Sequence, residues 1–365
     1  WVYNTTYWVM NKVHNFSAGP SILPQQVIAQ TAQAIQEFDG MGLSILEISH
    51  RSKNFERVVE EARNSVKEIL SLPDRFEVLF LQGGATLGFH IAAMNFMKEG
   101  GSAVYANTGV WASGAIKEAK LLGQVDVAFD SSDKNHNYIP EVVFQGNYDY
   151  AHYTSNNTIY GTQYSKIPAS SVPLVCDMSS DIFSREVDAS QHALIYAGAQ
   201  KNLGPAGATL YMVDKEQLGR TGRKLPVYMD LQAHIDKDSM YNTPPVLSIY
   251  TCMLTLRWIK EQGGLKGMEQ RNFAKQKLFY DELDRNGLFH GHAVKEARSW
   301  MNPTFRLNDD SNAAAFDAMW KDAGISGIAG HRSVGGYRAS MYNALPIESV
   351  QVLVDVMKEF ERIQG

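Results

Sequence analysis

Apolar runs of strand length alternate with amphipathic helical patterns over about the first 245 residues. The short apolar runs predict buried strands at 77–81, 103–106, 125–129, 149–153, 173–176, 193–197 and 207–213. Apolar residues at three- and four-residue steps predict helices at 24–38, 54–71, 87–97 and 110–122. Pro24 suits the first turn of the first helix, and Asn54 is the expected N-cap of the second. This alternation predicts a mostly parallel sheet with helices on both faces.

The pattern changes after residue 245, where two long helical patterns are separated by Gly263-Gly264. The elements predicted in this part are helices at 246–262, 265–286, 312–323 and 346–363, with short strands at 293–297 and 303–308. We therefore expect an α/β protein with two domains, a large sheet domain at 16–260 and a smaller α+β domain at 261–365.

Residues 1–15 are expected to form an N-terminal extension. Its first nine residues, Trp1 to Val9, have neither the basic start nor the small-residue cleavage site of a secretory signal. Met10 follows them. We therefore expect Met10 to be the natural start of the chain and residues 1–9 to be non-native.

Composition excludes several classes of function. Lys and Arg number 34 against 39 Asp and Glu, a net charge of −5, so no general attraction to nucleic acid or to an anionic membrane is expected. The chain has 365 residues and only two cysteines, Cys176 and Cys252, each in an apolar setting. This excludes a disulfide framework and a multi-cysteine metal site, and it fits a reducing compartment. No metal site is expected.

Lys201 lies in the segment AGAQKNLGPAG (197–207), which follows an apolar strand. The glycines and the proline there do not permit a helix, and glycines let a flat group approach the backbone. A lysine in a partly desolvated pocket loses its proton easily and attacks aldehydes. The alternative is a lysine on an exposed turn.

Asp177 also follows a predicted strand, and it precedes Lys201 by 24 residues, enough for a turn and a second strand. Both side chains can therefore emerge at the same edge of the sheet. A carboxylate at this place can keep a pyridine nitrogen protonated, as pyridoxal phosphate requires. The alternative is a helix or turn cap.

A glycine turn, Gly83-Gly84-Ala85-Thr86, joins a strand to a helix, where backbone N–H groups can bind a phosphate. It contains neither the dinucleotide fingerprint nor a P-loop. Trp111, just past the next strand, can stack on a planar ring, although a single tryptophan is more often part of a core. Lysine, acid, phosphate turn and aromatic ring are four needs of one cofactor, so together they favour pyridoxal phosphate.

Several segments resemble the phosphoserine aminotransferase family, in class V of the fold type I pyridoxal-phosphate enzymes. The similarity runs from about Asn15 to the C-terminus. The segments that carry it are HNFSAGPSILP (14–24), ISHRSKNF (48–55), AGAQKNLGPAG (197–207), YNTPP (241–245) and GHRSVGGYRASMYNA (330–344). The last of these is the most diagnostic, because general aminotransferases do not share it.

The resemblance implies roles for the cofactor-binding residues. Lys201 would bond covalently to the cofactor and later shuttle the proton, and Asp177 would pair with the pyridine nitrogen. Trp111 would stack on the ring, and Thr158 would bind the ring hydroxyl. The phosphate ligands would be the N–H groups of Ala85 and Thr86, the side chain of Gln200 and, from a neighbouring subunit, Asn242 and Thr243.

The resemblance also implies the substrate contacts and a homodimer with shared active sites. Arg332 would bind the α-carboxylate, because a planar guanidinium suits a carboxylate. His50 and Arg51 of a neighbouring subunit, with His331, would bind the phosphate or the donor's side-chain carboxylate. Many relatives carry an arginine where this chain has Thr86, so more of the phosphate binding falls on those three residues.

The implied reaction transfers an amino group from L-glutamate to 3-phosphohydroxypyruvate by ping-pong kinetics, a step of serine biosynthesis in the cytoplasm. The resemblance leaves open whether the chain also uses 3-hydroxy-2-oxo-4-phosphonooxybutanoate, an acceptor in pyridoxine biosynthesis. Three alternatives are a serine–glyoxylate aminotransferase, a cysteine desulfurase and a non-catalytic pyridoxal-phosphate carrier. The apolar settings of Cys176 and Cys252 argue against the desulfurase, which needs a reactive cysteine on a mobile loop.

Overall fold

The computed structural model describes residues 13–139, 141–332 and 334–365. The expected start at Met10 and the expected non-native residues 1–9 lie outside these ranges. Among the described residues, no helix is both long enough and apolar enough to cross a membrane.

A seven-stranded sheet forms the centre of the larger part of the chain. Its strands in chain order are β1 (Phe76–Leu81), β2 (Ser102–Asn107), β3 (Gln124–Asp130), β4 (Tyr150–Thr154), β5 (Leu174–Asp177), β6 (Leu194–Gly198) and β7 (Thr209–Asp214). They lie side by side in the order β1-β7-β6-β5-β4-β2-β3. Only β7 runs antiparallel to its neighbours within this sheet. The predicted mostly parallel α/β sheet is confirmed.

Helices cover both faces of this sheet, because successive strand residues point to opposite sides. Val78 belongs to one buried cluster and Leu79 to the other. The first face packs against α1 (Gln25–Gln36) and α2 (Lys53–Ile69). The second packs against α3 (Gly84–Phe96), α4 (Val110–Ala119) and the short α5 (Leu231–Ile235).

The C-terminal part has a core of its own. The helix α6 (Val246–Glu261) precedes this part, and its buried residues Ile249, Cys252 and Leu256 pack on the first face of the large sheet. The elements that follow it are α7 (Gly264–Arg285), β8 (Phe289–Gly291), β9 (Thr304–Leu307), α8 (Ala313–Asp322), β10 (Tyr337–Arg338) and α9 (Ile347–Gln364). The three strands form an antiparallel sheet in the order β8-β9-β10. Phe16 is fully buried in this core, and His14–Asn15 pairs in parallel with Ile325–Ser326. The predicted domain boundaries remain predictions.

Three local predictions are wrong. The strand expected at 293–297 lies at β8 instead, where Phe289 pairs with Leu307 inside the core, whereas Val294 is exposed. The N-cap of α2 is Ser52, whose hydroxyl accepts the N–H of Phe55. The amide of Asn54 donates to Asp39 instead. Pro24 precedes α1 as its N-cap, because its ψ of 134° is not helical.

Candidate active site

The candidate residues of the large sheet lie at the carboxyl ends of parallel strands. Asp177 is the last residue of β5 and pairs with Thr154 on one side and Tyr196 on the other. Lys201 follows the end of β6, and Thr158 follows β4. Open α/β sheets bind ligands at this edge, so the expected placement of Lys201 and Asp177 at one sheet edge is confirmed.

Lys201 lies in a tight turn after β6, in which the N–H groups of Leu203 and Gly204 donate to Ala199 O. Its carbonyl accepts a hydrogen bond of 2.5 Å from Ser21 Oγ, and its Nζ lies 5.7 Å from the centre of the Trp111 ring. Burial lowers the pKa of the Lys201 ammonium, and the negative charge of Asp177 partly opposes this change. Lys201 is therefore suited to act as a neutral amine.

Asp177 is buried with 4% of its surface exposed. Its Oδ1 accepts two hydrogen bonds from Ser179, from the backbone N–H at 2.9 Å and from the hydroxyl at 2.6 Å. Burial raises the pKa of the Asp177 carboxyl, while Lys201 and Ser179 oppose that rise. A buried carboxylate held in this way can pair with a cationic ring nitrogen.

Trp111 and Thr158 are joined directly, since the indole Nε1 donates to Thr158 Oγ1 over 2.9 Å. Thr158 is buried, whereas 38% of the Trp111 surface is exposed. A cavity of about 440 Å³ adjoins Trp111 and Thr86. Trp111 thus keeps an open surface beside Lys201, in a position suited to stacking on a flat ring.

The glycine turn begins α3, and both glycines have positive φ angles, +103° at Gly83 and +65° at Gly84. Ala85 and Thr86 lie in the first helical turn, where N–H groups have no acceptor within the helix and bind anions well. The Gln200 amide lies close to the backbone of Gly198, since a Cβ at Gly198 would lie 2.7 Å from Gln200 Oε1.

These residues fit pyridoxal phosphate. The helix start offers donors to a phosphate, Asp177 offers an acid to a ring nitrogen, and Trp111 offers a flat surface to the ring. Thr154 Oγ1, in register opposite Asp177, is buried and makes no hydrogen bond within the described chain. A buried hydroxyl of this kind usually has a partner, so the observation suits a polar group bound there.

Arg338 belongs to this cluster, although the sequence interpretation missed it. Its Nη1 donates to the carbonyl of Thr158 over 3.2 Å, and its positive charge helps to lower the pKa of Lys201. Arg338 is half-buried, and burial lowers the pKa of its own guanidinium. The signal lay in strand alternation: because Tyr337 enters the C-terminal core, its neighbour faces the other side.

His50 and Arg51 lie in the turn before α2. Arg51 is exposed, and His50 Nε2 is buried without a hydrogen-bond partner. Within the described ranges, no hydrogen bond or ion pair joins either residue to Lys201 or Asp177.

The remaining predicted residues lie in two other segments. His331 is partly buried in a turn, where its carbonyl accepts the N–H groups of Val334 and Gly335, and Arg332 is exposed. Asn242 donates its amide to Gln82 Oε1 of the same chain over 3.0 Å, next to the glycine turn, and Thr243 follows it.

The two cysteines are buried and unpaired. Burial raises the pKa of both thiols, well above the ordinary value for Cys176. Neither thiol is therefore an effective nucleophile, which agrees with the argument from sequence against a cysteine desulfurase.

Comparison with known proteins gives consistent similarities. Residues 13–353 match the family described as aminotransferase class-V. The chain is 57% identical over 352 residues to the phosphoserine aminotransferase of Flavobacterium psychrophilum, covering 96% of this chain and 99% of that protein. The structure of phosphoserine aminotransferase from Bacillus circulans subsp. alkalophilus is 43% identical, with a TM-score of 0.94 and coverage of 97% and 99%. The enzyme from Trichomonas vaginalis, described as bound to PLP, is 33% identical, with a TM-score of 0.90 and coverage of 95% and 100%.

Proposed function

The chain belongs to the class-V aminotransferases and, within them, to the phosphoserine aminotransferase family; on that premise we propose that it transfers an amino group between two small acids. The family predicted from the motifs is thereby confirmed. L-Glutamate donates the amino group and 3-phosphohydroxypyruvate accepts it, giving 2-oxoglutarate and O-phospho-L-serine. The observation that carries the proposal is a half-buried lysine, Lys201, that feels the charge of a buried acid, Asp177, beside Trp111 and Arg338.

The cofactor is pyridoxal phosphate, which supplies an electron-withdrawing ring at the substrate α-carbon when it is bound. The Asp177 carboxylate would hold the ring nitrogen in its protonated form, and Trp111 would stack on the ring. The Thr158 hydroxyl, already bonded to Trp111, also binds the ring hydroxyl. The N–H groups of Ala85 and Thr86, with the Gln200 amide, bind the phosphate.

Lys201 moves the proton. Its neutral Nζ removes the α-proton of L-glutamate and later delivers a proton to the α-carbon of O-phospho-L-serine. The lowered pKa of Lys201 keeps a larger share of this amine neutral near pH 7. Its burial next to Trp111 also limits proton exchange with water.

Arg338 binds the α-carboxylate of the substrates. It is half-buried and its charge acts on Lys201, whereas Arg332 is exposed. A guanidinium beside the proton-transferring amine places the α-carbon between the two groups. Arg332, expected for this role from the resemblance, remains the alternative.

The working unit is a homodimer in the cytoplasm. His50 and Arg51 reach the substrate's phosphate or side-chain carboxylate from a second copy of the chain, and His331 approaches from the same chain as Lys201. Asn242 and Thr243 serve the phosphate site of the other copy. Exposed arginines suit this role, because they gain a partner only when the site is complete.

The test separates the two halves of the reaction. L-Glutamate alone should abolish the visible absorbance band of the loaded protein, with stoichiometric release of 2-oxoglutarate. Adding 3-phosphohydroxypyruvate should restore the band and give O-phospho-L-serine, while hydroxypyruvate without phosphate should react poorly. No response to glutamate would indicate a non-catalytic carrier. Efficient transfer of the amino group from serine to glyoxylate would instead indicate a serine–glyoxylate aminotransferase.

A further inference from the structure

We propose that Ser179 is a positioning residue that fixes one oxygen of Asp177, leaves the other for the cofactor ring, and ties this carboxylate to the strand end that carries Lys201. The proposal rests on the proposed role of Asp177 toward pyridoxal phosphate. Ser179 would not itself contact the cofactor, but it would set the orientation of the Asp177 carboxylate toward the cofactor ring.

Ser179 saturates a single oxygen of Asp177. The backbone N–H and the hydroxyl of Ser179 both donate to Oδ1, over 2.9 and 2.6 Å. No hydrogen bond from the described residues reaches Oδ2. Two donors on one oxygen restrict rotation of the carboxylate, so Oδ2 is the oxygen left for the ring nitrogen.

The same hydroxyl links two strands of the sheet. Gly198, the last residue of β6, donates its N–H to Ser179 Oγ over 3.1 Å. Lys201 follows three residues later. The hydroxyl therefore donates to Asp177 and accepts from the strand that leads to the lysine, and both of these roles lie in the buried interior.

A simple turn would not need this hydroxyl. An aspartate commonly accepts the N–H two residues further on, and the backbone of Ser179 already provides that contact. The hydroxyl is a second, buried donor to a charged acceptor, a type of hydrogen bond that is about twice as strong as a neutral one. Its presence is explained by the need to keep a buried carboxylate ionised.

The charged groups around Asp177 determine the pH at which its carboxylate takes up a proton. Lys201 is the cation facing it, and Asp181 is a nearby carboxyl. Tyr196, Tyr211 and Cys176 also surround it, but burial raises the pKa of each, so they stay neutral. Because Ser179 stabilises the ionised form, removing its hydroxyl should make Asp177 take up a proton at higher pH.

The experiment measures binding of pyridoxal phosphate by the full-length protein across a range of pH. Ser179→Ala should weaken the affinity about tenfold, the size expected for one lost hydrogen bond to a charged group. The loss of affinity on acidification should also begin at higher pH than in the unmodified protein. Ser179→Cys, with a weaker donor of similar size, should fall between the two.

Ser184→Ala is the matched control, because Ser184 is a buried serine whose hydroxyl donates only to the backbone of Asp181. It should leave the pH midpoint of cofactor binding unchanged. The proposal is overturned if Ser179→Ala keeps both the affinity and the pH midpoint, or if the two alanine variants behave alike. Since the readout is cofactor binding, the result stands even if glutamate proves not to be the donor.

Discussion

The two halves of the candidate site are built in different ways. The cofactor half has a buried centre, Asp177 and Thr158, and is held by internal hydrogen bonds: Asp177 is bonded by Ser179, Thr158 is bonded by Trp111, and the Arg338 guanidinium is bonded to the Thr158 carbonyl. The substrate-cation half consists of exposed Arg51 and Arg332 in turns. One chain thus brings together the residues proposed to contact the cofactor ring, but not the exposed cations proposed to recognise a substrate with two anionic groups.

The loop before His50 suggests what completes the second half. Met41, Leu43 and Leu46 are exposed there, with 38%, 44% and 59% of their surfaces open. Neighbouring exposed apolar side chains usually mark an interaction surface. A second copy that covers this loop would carry the adjoining His50 and Arg51 into a site other than their own.

The largest effect should follow the loss of Lys201. Lys201→Ala removes the amine that moves the α-proton, and such groups contribute roughly 100- to 10,000-fold to a rate. We expect turnover to become undetectable and the visible band of the cofactor to be lost. Lys277→Ala, at an exposed lysine paired with Asp281, should leave both unchanged. Retention of the native spectrum in Lys201→Ala would remove this lysine from its role.

The next largest effect tests which arginine, Arg338 or Arg332, binds the α-carboxylate of the substrates. Arg338→Gln should raise KM for both L-glutamate and 3-phosphohydroxypyruvate, because both carry an α-carboxylate, by roughly 10- to 100-fold for a lost charged hydrogen bond. Arg332→Gln should raise KM for both substrates much less. The reverse order, measured by steady-state kinetics, would assign the α-carboxylate to Arg332.

Shared sites can be tested by complementation. Arg51→Ala should raise KM for 3-phosphohydroxypyruvate far more than it lowers cofactor occupancy. Mixing Arg51→Ala chains with Lys201→Ala chains should then restore activity at low substrate concentration, because one site of the hybrid combines an intact Lys201 with the other chain's intact Arg51. If the subunits exchange but mixing restores no activity, Arg51 binds substrate in the site that contains the Lys201 of its own chain.

A smaller effect concerns pH. The positive charge of Arg338 helps to lower the pKa of Lys201, while Asp177 and Asp181 raise it. Arg338→Gln should therefore raise the pKa of Lys201. Since the neutral amine is the active form, the fall of kcat on acidification should begin at higher pH. Arg332→Gln should not move this limb of the pH profile, and equal shifts in both variants would contradict the electrostatic coupling of Arg338 to Lys201.

The difference between the halves also explains what could be predicted from sequence. Strands, helices and the placement of Lys201 and Asp177 follow from local periodicity and from the rule that parallel strands end at one edge. The role of Arg338 does not follow from the sequence in the same way, because Tyr337–Arg338 is a two-residue strand and its alternation can be recognised only once the strand is known. The role of Ser179 cannot be predicted from the sequence, because its bridge to Gly198 depends on β5 and β6 lying side by side.

The smallest effect concerns the turn that carries His50 and Arg51 of the substrate-cation half. His50 and Arg51 precede Ser52, the N-cap of α2, and α2 anchors this turn through buried residues such as Phe55 and Val58. Ser52→Ala should lower the free energy of unfolding by about 1 kcal/mol, the usual contribution of an N-cap.

Asn54→Ala is the control for that measurement, because Asn54 makes only an exposed hydrogen bond to Asp39, and it should cost less than about 0.5 kcal/mol. Denaturant titration measures the free energy of unfolding of both variants and shows which one is the less stable. Since loss of the cap loosens the turn that carries Arg51 and leaves the buried cluster intact, Ser52→Ala should also raise KM for 3-phosphohydroxypyruvate slightly at unchanged cofactor affinity. A larger destabilisation by Asn54→Ala would show that the contact with Asp39, and not the cap, holds the turn in place.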